Sequence, residues 1–163
     1  MIHYHGTPLT PISALLSMAG KNFCVSYARP DDAERCLQIA QQIMYDNDAF
    51  SAYTKGNKLD VKGYCTWLEP RLGHPHWAII PDVIDGTDDD NYQMIKDWPM
   101  RKELSAVVWH MGSSIKYLHK LIDSEYPKIC FCSSGKYWQV GSYEWEQRCD
   151  LAFNSIAKNG QVP

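Results

Sequence analysis

Short apolar segments alternate with longer amphipathic segments along the whole chain, and this alternation restricts most strongly what the chain can fold into. Such an order is typical of β-α-β units, in which parallel strands are joined through helices that pack on the sheet. The six predicted strands are Ile2–Gly6, Phe23–Tyr27, Ile43–Asp46, Trp77–Pro81, Ala106–His110 and Lys128–Cys132. The predicted helices include Pro11–Gly20, Asp31–Gln41, one capped by Asp60, one capped by Ser113 or Ser114, and Ser142–Lys158. The fold class is therefore α/β, with parallel (β/α) repeats.

The predicted strand starts, from residue 2 to residue 128, are spaced by about 25 residues, so a closed barrel of eight units would need roughly 200 residues. The chain has 163 residues and no linker or charge block that divides it, and we expect one domain over residues 1–163. Two architectures fit: an open doubly wound sheet, or the first six units of a (β/α)8 barrel of TIM-barrel type. In the second case Gly160 to Pro163 lie where a seventh strand would begin, and the barrel is incomplete with unpaired edges.

Composition excludes several classes of function. Lys and Arg number 16 against 19 Asp and Glu, and the net charge of −3 gives no global attraction to nucleic acid or to anionic membranes. No apolar run reaches the ~20 residues that span a bilayer, and the N-terminus lacks a secretory signal. We therefore expect a cytoplasmic protein, without a membrane partner, whose six cysteines are reduced. Cys130 and Cys132 point to one face of a strand, but no second cysteine pair completes a zinc site, and we expect no cofactor.

Polar residues follow the carboxyl ends of the predicted strands, where ligands bind in both architectures. Asp46 ends the third strand and Asp82 follows the fourth, His110 ends the fifth, and Ser133 and Ser134 follow the sixth. Two carboxylates that face one pocket suit proton transfer or the recognition of an N–H edge. Each residue alone could be a solvated loop residue, but their convergence predicts a site.

A metal-dependent hydrolase is a second interpretation. His3 and His5 share one face of the first strand, and H-x-H in this position, with His110 on the fifth strand, resembles the metal site of the amidohydrolases. No suitable histidine follows the sixth strand, however. Ser134-Gly135-Lys136 lacks the first glycine and the final Ser or Thr of a phosphate loop, which excludes nucleoside triphosphate binding by that motif.

A set of short motifs carries a resemblance to a known family. Tyr45–Ser51 reads Y-D-N-D-A-F-S, and it is accompanied in order by H-G-T-P at 5–8, V-S-Y-A at 25–28, P-D-V-I-D-G at 81–86, W-H at 109–110 and S-S-G-K-Y-W-Q-V-G-S at 133–142. The pattern resembles the tRNA-guanine transglycosylases with their D-S-G-G-[FY]-Q segment, and resembles still more a D-[SN]-G-A-F-S variant in phage-borne relatives. The resemblance covers essentially the whole chain.

The resemblance implies a (β/α)8 barrel that exchanges a guanine in nucleic acid for a 7-deazaguanine, through a covalent link between an Asp and the sugar. It implies that Asp46 is the catalytic, proton-transferring residue, that Phe50 is the aromatic residue of the base pocket, and that Asp82 reads the guanine N–H edge. The other implied substrate-binding residues are Asn47, His110, Ser133 and Ser134. The implied partners are a nucleic acid, DNA or tRNA, and a 7-deazaguanine base.

The chain departs from the family pattern at several points. Asp48 stands where the family has Gly, and Lys136 stands where we expect Glu. The family carries its nucleophilic Asp on a strand later than the six predicted here, and its zinc site of three Cys and one His has no counterpart. We therefore expect no base exchange by this chain alone, with a homo-oligomer or a completing chain as possible sources of the missing strand. The third interpretation is a non-catalytic module that binds the base.

Overall fold

The structure, a computed structural model, describes residues 2–158 and contains one six-stranded parallel sheet. The strands are β1 (Tyr4–Gly6), β2 (Asn22–Ser26), β3 (Gln42–Asp46), β4 (Trp77–Ile79), β5 (Ser105–His110) and β6 (Ile129–Cys132). They lie side by side in chain order, and the sheet is curled into half of a barrel. A doubly wound sheet reverses its strand order at a switch point, and this sheet does not. The α/β class with six parallel units is confirmed.

Seven α-helices connect the strands or follow them within residues 2–158. They are α1 (Ile12–Leu16), α2 (Asp31–Ile39), α3 (Ala49–Thr54), α4 (Val61–Leu68), α5 (Asp88–Lys96), α6 (Ile115–Asp123) and α7 (Tyr143–Lys158). The predicted caps of α4 and α6 are confirmed, because the Asp60 carboxylate accepts from the Gly63 N–H at 2.9 Å and the Ser114 hydroxyl accepts from the Tyr117 N–H at 3.0 Å.

Several element boundaries differ from the prediction, the strand bounds by one or two residues, and one helix was not predicted. Strand β4 ends at Ile79 rather than Pro81, since a proline has no N–H to donate to the neighbouring strand. Helix α1 ends at Leu16, and the chain then turns to Gly20, whose φ of +80° favours glycine. Helix α3 was not predicted separately, because its six residues are too few to show a periodic pattern. Gly160 to Pro163 lie outside the described residues.

The two faces of the sheet have different environments. Phe23, Ile43, Tyr45, Val107 and Trp109 lie on the convex face and form the core with the helices. The opposite, concave face carries half-buried side chains, among them Cys24, Met44, Cys130 and Cys132, together with the buried Val108 and His110 of β5. The amino end of this face is closed where the Trp77 indole N–H donates to the Tyr4 hydroxyl at 3.0 Å. In the part of the chain that the structure describes, no helix has the length and apolar character needed to cross a membrane.

Candidate functional site: a pocket at the carboxyl ends of the strands

A cavity of about 770 Å³ opens at the carboxyl end of the sheet. Its walls come from α3, from the loop after β4, and from the segments that follow β5 and β6. The lining residues used below are Phe50, His110, Cys132, Ser133, Ser134 and Trp138. The structure thus brings together four predicted site residues, Phe50, His110, Ser133 and Ser134, from three different connections of the fold.

Asp82 and His110 form a buried pair beside this pocket, and of the two only His110 lines the cavity. The Nε2 atom of His110 lies 2.9 Å from Oδ2 of Asp82, and the two side chains are only 6% and 10% exposed. His110 is the last residue of β5, in which all six residues are buried, so the strand fixes the position of the imidazole. The loop after β4 brings Asp82 beside it.

The pair determines the charge state of His110. Burial lowers the pKa of the imidazole, but the hydrogen bond to Asp82 and the neighbouring Cys132 thiol outweigh it and raise the pKa from 6.5 to about 9. At neutral pH the imidazole is therefore protonated. A protonated His110 compensates the negative charge of a carboxylate that is almost fully removed from solvent.

Asn47 holds the pair in place. Its amide nitrogen donates to Oδ1 of Asp82 and to the carbonyl oxygen of Ile80, both at 2.9 Å, and its amide oxygen accepts from the Ala49 N–H at 2.8 Å. The side chain is buried, and both of its N–H donors are used within the protein. Asn47, predicted to bind substrate, therefore lies where it positions Asp82, and the two hydrogen bonds from its amide nitrogen tie the end of β3 to the segment after β4.

Asp46 ends β3 on the concave face, opposite Ser26 in the pairing of β2 with β3. Burial raises the pKa of its carboxyl group, and the nearby carboxylates of Asp82 and Asp48 raise it further. Hydrogen bonds from the Ser26 side chain and from the Asp48 N–H, the latter at 3.4 Å, oppose this increase. A carboxyl group whose pKa is raised by burial near other carboxylates can hold and release a proton closer to neutral pH.

Asp48 has a left-handed backbone, with φ of +65° and ψ of +14°. This conformation is unfavourable for residues with a Cβ atom, although Asp tolerates it better than most. Glycine adopts this conformation without that cost. The buried Oδ1 atom of Asp48 also has no hydrogen-bond partner among the described residues.

Two aromatic side chains stand at the rim of the pocket. Phe50 on α3 is 68% exposed and Trp138 is 71% exposed, which is unusual for rings of this size. The sequence singled out Phe50 through its motif but did not single out Trp138, because exposure cannot be read from a residue type. Exposed aromatic faces beside a pocket offer stacking surfaces to a planar ligand.

The serines after β6 are held by protein contacts. The Ser133 hydroxyl accepts from the indole N–H of Trp145 at 2.9 Å, and the Ser134 carbonyl oxygen accepts from the Tyr137 N–H at 3.0 Å. The second contact closes the short 3₁₀ turn Gly135–Tyr137. These bonds fix the wall of the pocket on the side of Trp138.

Arg148 was not predicted, and it fixes the loop after β5. From α7, its Nε atom donates to the Met111 carbonyl oxygen at 2.7 Å, and its guanidinium also donates to the Ser113 carbonyl oxygen. The guanidinium carbon lies 4.8 Å from the centroid of the Trp109 ring. An arginine within a helix gives no sequence signal of such a role, because the contact joins residues more than thirty positions apart.

The histidines of the metal interpretation do not come together. His5 packs against Phe23 with ring centroids 6.3 Å apart, and His3 lies beside His5 at the edge strand. His110 is paired with Asp82 on β5. Over residues 2–158, no group of three or more His, Cys, Asp or Glu side chains is arranged to hold a metal ion.

Comparisons of the chain with models of known protein families, with curated proteins and with solved structures find no match.

Proposed function

We propose that the pocket binds a guanine-type base and that the chain takes part in exchanging guanine for a 7-deazaguanine in nucleic acid. In this proposal the six parallel units are part of a (β/α)8 barrel, as in the transglycosylases that the motifs resemble. The observation that carries the proposal is the convergence of Asp46, Asp82 and His110 at the ends of three neighbouring strands, beside a pocket with an aromatic rim.

Base recognition is assigned to Asp82. Guanine presents two adjacent N–H donors, and an ionised carboxylate accepts from both. The Asp82 oxygens already accept from Asn47 and face His110, but each carboxylate oxygen has a second lone pair. Adenine has no such pair of donors, so it cannot make these two hydrogen bonds to the carboxylate. The protonated His110 places a positive charge 2.9 Å from this carboxylate.

Stacking is assigned to Phe50. Its ring is exposed at the rim of the pocket, in the first turn of α3. A base stacked on an aromatic side chain gains about 1–3 kcal/mol, whatever the base, so stacking supplies affinity and the carboxylates supply selectivity. Trp138 stands at the same rim and offers a second surface.

Proton transfer is assigned to Asp46. A departing guanine must gain a proton on its ring, and an incoming base must lose one. Asp46 and Asp82 lie in environments that differ, since Asp82 faces a cation and Asp46 faces carboxylates. This difference in surroundings allows two neighbouring carboxyl groups to take different roles. The attack on the sugar is assigned by the resemblance to an Asp on a later strand, whereas the described residues contain six strands.

Titration calorimetry with 7-deazaguanine tests base recognition. We expect the wild-type chain to bind 7-deazaguanine more tightly than 7-deazaadenine. In Asp82→Asn we expect 7-deazaguanine to bind at least tenfold more weakly, because a charged hydrogen bond is worth roughly 1.5–3 kcal/mol. Asp150→Asn, which removes an exposed carboxylate on α7, is the matched control. Phe50→Ala is a second test, since its exposed ring can be removed without loss of the core.

Equal binding of the two deazapurines, or no binding of either, contradicts base recognition. The exchange step is measured separately, as release of labelled guanine from tRNA or DNA. We expect the isolated chain to bind without exchange, because the sugar-attacking carboxylate is assigned to a strand beyond β6. Detectable exchange by the 163-residue chain contradicts that assignment. If a completing chain is added and the protein still binds the base without exchanging guanine, the non-catalytic base-binding module is favoured.

A further inference from the structure

The first twenty residues of the chain contain no Asp, Glu, Lys or Arg, and all 16 basic and 19 acidic residues lie at Lys21 or later. This segment forms β1, the strand at one end of the sheet, and α1, which follows it. Charged side chains ordinarily discourage an exposed sheet edge from associating with another chain. We call the surface of residues 2–20 the charge-free face.

Helix α1 presents apolar side chains on both of its sides. Leu15 is only 2% exposed and belongs to the core. Ile12 and Leu16 are 50% and 52% exposed, and their spacing of four residues places them together on the side of the helix that faces solvent. A surface helix ordinarily carries polar residues opposite its core side. The exposed side of α1 is therefore available to a partner.

The accessible surface of the chain is large enough for a stable contact. A compact monomer of 18.7 kDa exposes roughly 8,300 Å², whereas this chain exposes 9559 Å², which is about 1,300 Å² more. In a standard interface each partner buries roughly 800 Å². A contact of this size brings the exposed surface of each copy close to that of a compact protein.

We propose that the charge-free face binds the same face of a second copy of the chain, with α1 packed against α1 across a two-fold axis. In such a contact each residue near the axis meets its own counterpart, so a charged side chain there meets a like charge. A face without charged side chains avoids this repulsion, and it leaves no ion buried without a partner. The core of protein interfaces is likewise depleted of charged residues.

A second copy fits this face better than a charged partner does. The net charge of −3 lies entirely outside the charge-free face, so an acidic or basic partner finds no Asp, Glu, Lys or Arg on it to pair with. The residues that line the 770 Å³ pocket all lie at position 50 or later, so this contact does not use them. The inference therefore goes beyond the proposed function and does not depend on it.

Size-exclusion chromatography with light scattering tests the proposal. At roughly 100 μM we expect the wild-type chain to have a mass of about 37 kDa, twice the 18.7 kDa of one chain. A mass of 18.7 kDa at this concentration overturns the proposal, and the charge-free face is then left to a completing chain.

Leu16→Glu places a charge on the charge-free face. Its matched control is Leu151→Glu, because Leu151 on α7 is also 52% exposed. We expect Leu16→Glu to weaken self-association at least tenfold and Leu151→Glu to leave it unchanged, since only the first buries a charge in the contact. Circular dichroism checks that both variants are folded, and Ile12→Glu replaces Leu16→Glu if the latter unfolds. Equal association of wild type and folded Leu16→Glu, or loss of the dimer in Leu151→Glu alone, overturns the proposal.

A mixture of Leu16→Glu with Leu16→Lys tests the two-fold arrangement. Each variant alone brings like charges together, whereas a mixed dimer pairs a carboxylate with an ammonium group across the axis. We expect the mixture to recover a mass of about 37 kDa where each variant alone is monomeric. A mixture that stays monomeric contradicts the packing of α1 against α1. These assays contain no base, so their failure is distinguishable from failure of base binding.

Discussion

Replacement of Asp82 by asparagine tests the energetic role of the buried pair. In the wild-type protein the imidazole of His110 has a pKa of about 9 instead of 6.5, and this difference corresponds to about 3 kcal/mol of interaction with its surroundings. Removing one member of a buried ion pair leaves the other uncompensated, which typically costs about 3–5 kcal/mol. We therefore expect Asp82→Asn to lower the free energy of unfolding by about 3 kcal/mol at pH values where His110 is protonated.

The pH dependence gives the sign of the effect. Because the pKa of His110 is raised in the folded protein, its contribution is fully present below about pH 6.5 and is lost as the pH rises through about 9. Asp82→Asn removes the interaction that raises the pKa of His110. Burial, which lowers the pKa of the imidazole, then has the larger effect. The stability difference between wild type and variant should therefore be largest near pH 6 and shrink toward pH 9.5.

Urea unfolding followed by circular dichroism at about pH 6, 7.5 and 9.5 measures this difference. Asp150→Asn, on the exposed face of α7, is the control for loss of a carboxylate, and its stability should differ little from wild type at any of the three pH values. A difference for Asp82→Asn below about 1 kcal/mol near pH 6, or one that does not change with pH, refutes the reasoning.

Three further substitutions have defined outcomes. Asp48→Gly should raise the free energy of unfolding by about 1 kcal/mol, because it removes a left-handed non-glycine residue and a charge beside Asp46. Urea unfolding measures this change, and a lower stability of the variant contradicts the strain at φ of +65°. Arg148→Ala should lower the free energy of unfolding by about 2–3 kcal/mol, whereas loss of an exposed arginine costs little. A decrease below about 0.5 kcal/mol in urea unfolding contradicts the role of Arg148 in holding the loop after β5. Phe50→Ala should weaken binding of 7-deazaguanine by about 1–3 kcal/mol in calorimetry with little change in stability, and equal affinity contradicts stacking.

The sheet was predictable from the sequence because its strands are short apolar runs at regular spacing. The predicted ends of β3, β5 and β6 at Asp46, His110 and Cys132 are confirmed, since a polar residue or a loop follows each run. The strand order follows from the parallel connections, each made through a helix or a helix and a loop. The ends of α1 and β4 could not be placed, because a turn after Leu16 and a proline at position 81 decide them locally.

The site was predictable in its parts and not in its contacts. The strand-end rule brought Asp46, Asp82 and His110 to one edge of the sheet, but the sequence does not show that Asp82 pairs with His110. Asn47 is a further case: its motif suggests contact with substrate, whereas its amide bonds to Asp82, Ile80 and Ala49. Hydrogen bonds between residues about thirty positions apart depend on how the loops pack against one another in the folded protein, which no local sequence pattern shows.

The most direct test of the central claim is a crystal structure of the protein with 7-deazaguanine. We expect the base to lie in the cavity at the carboxyl ends of the strands, stacked on Phe50, with its two N–H donors directed at the Asp82 carboxylate. Asp46 should lie within hydrogen-bond distance of a ring nitrogen. An empty cavity at saturating base, or a base bound elsewhere or with its N–H edge turned away from Asp82, contradicts the claim.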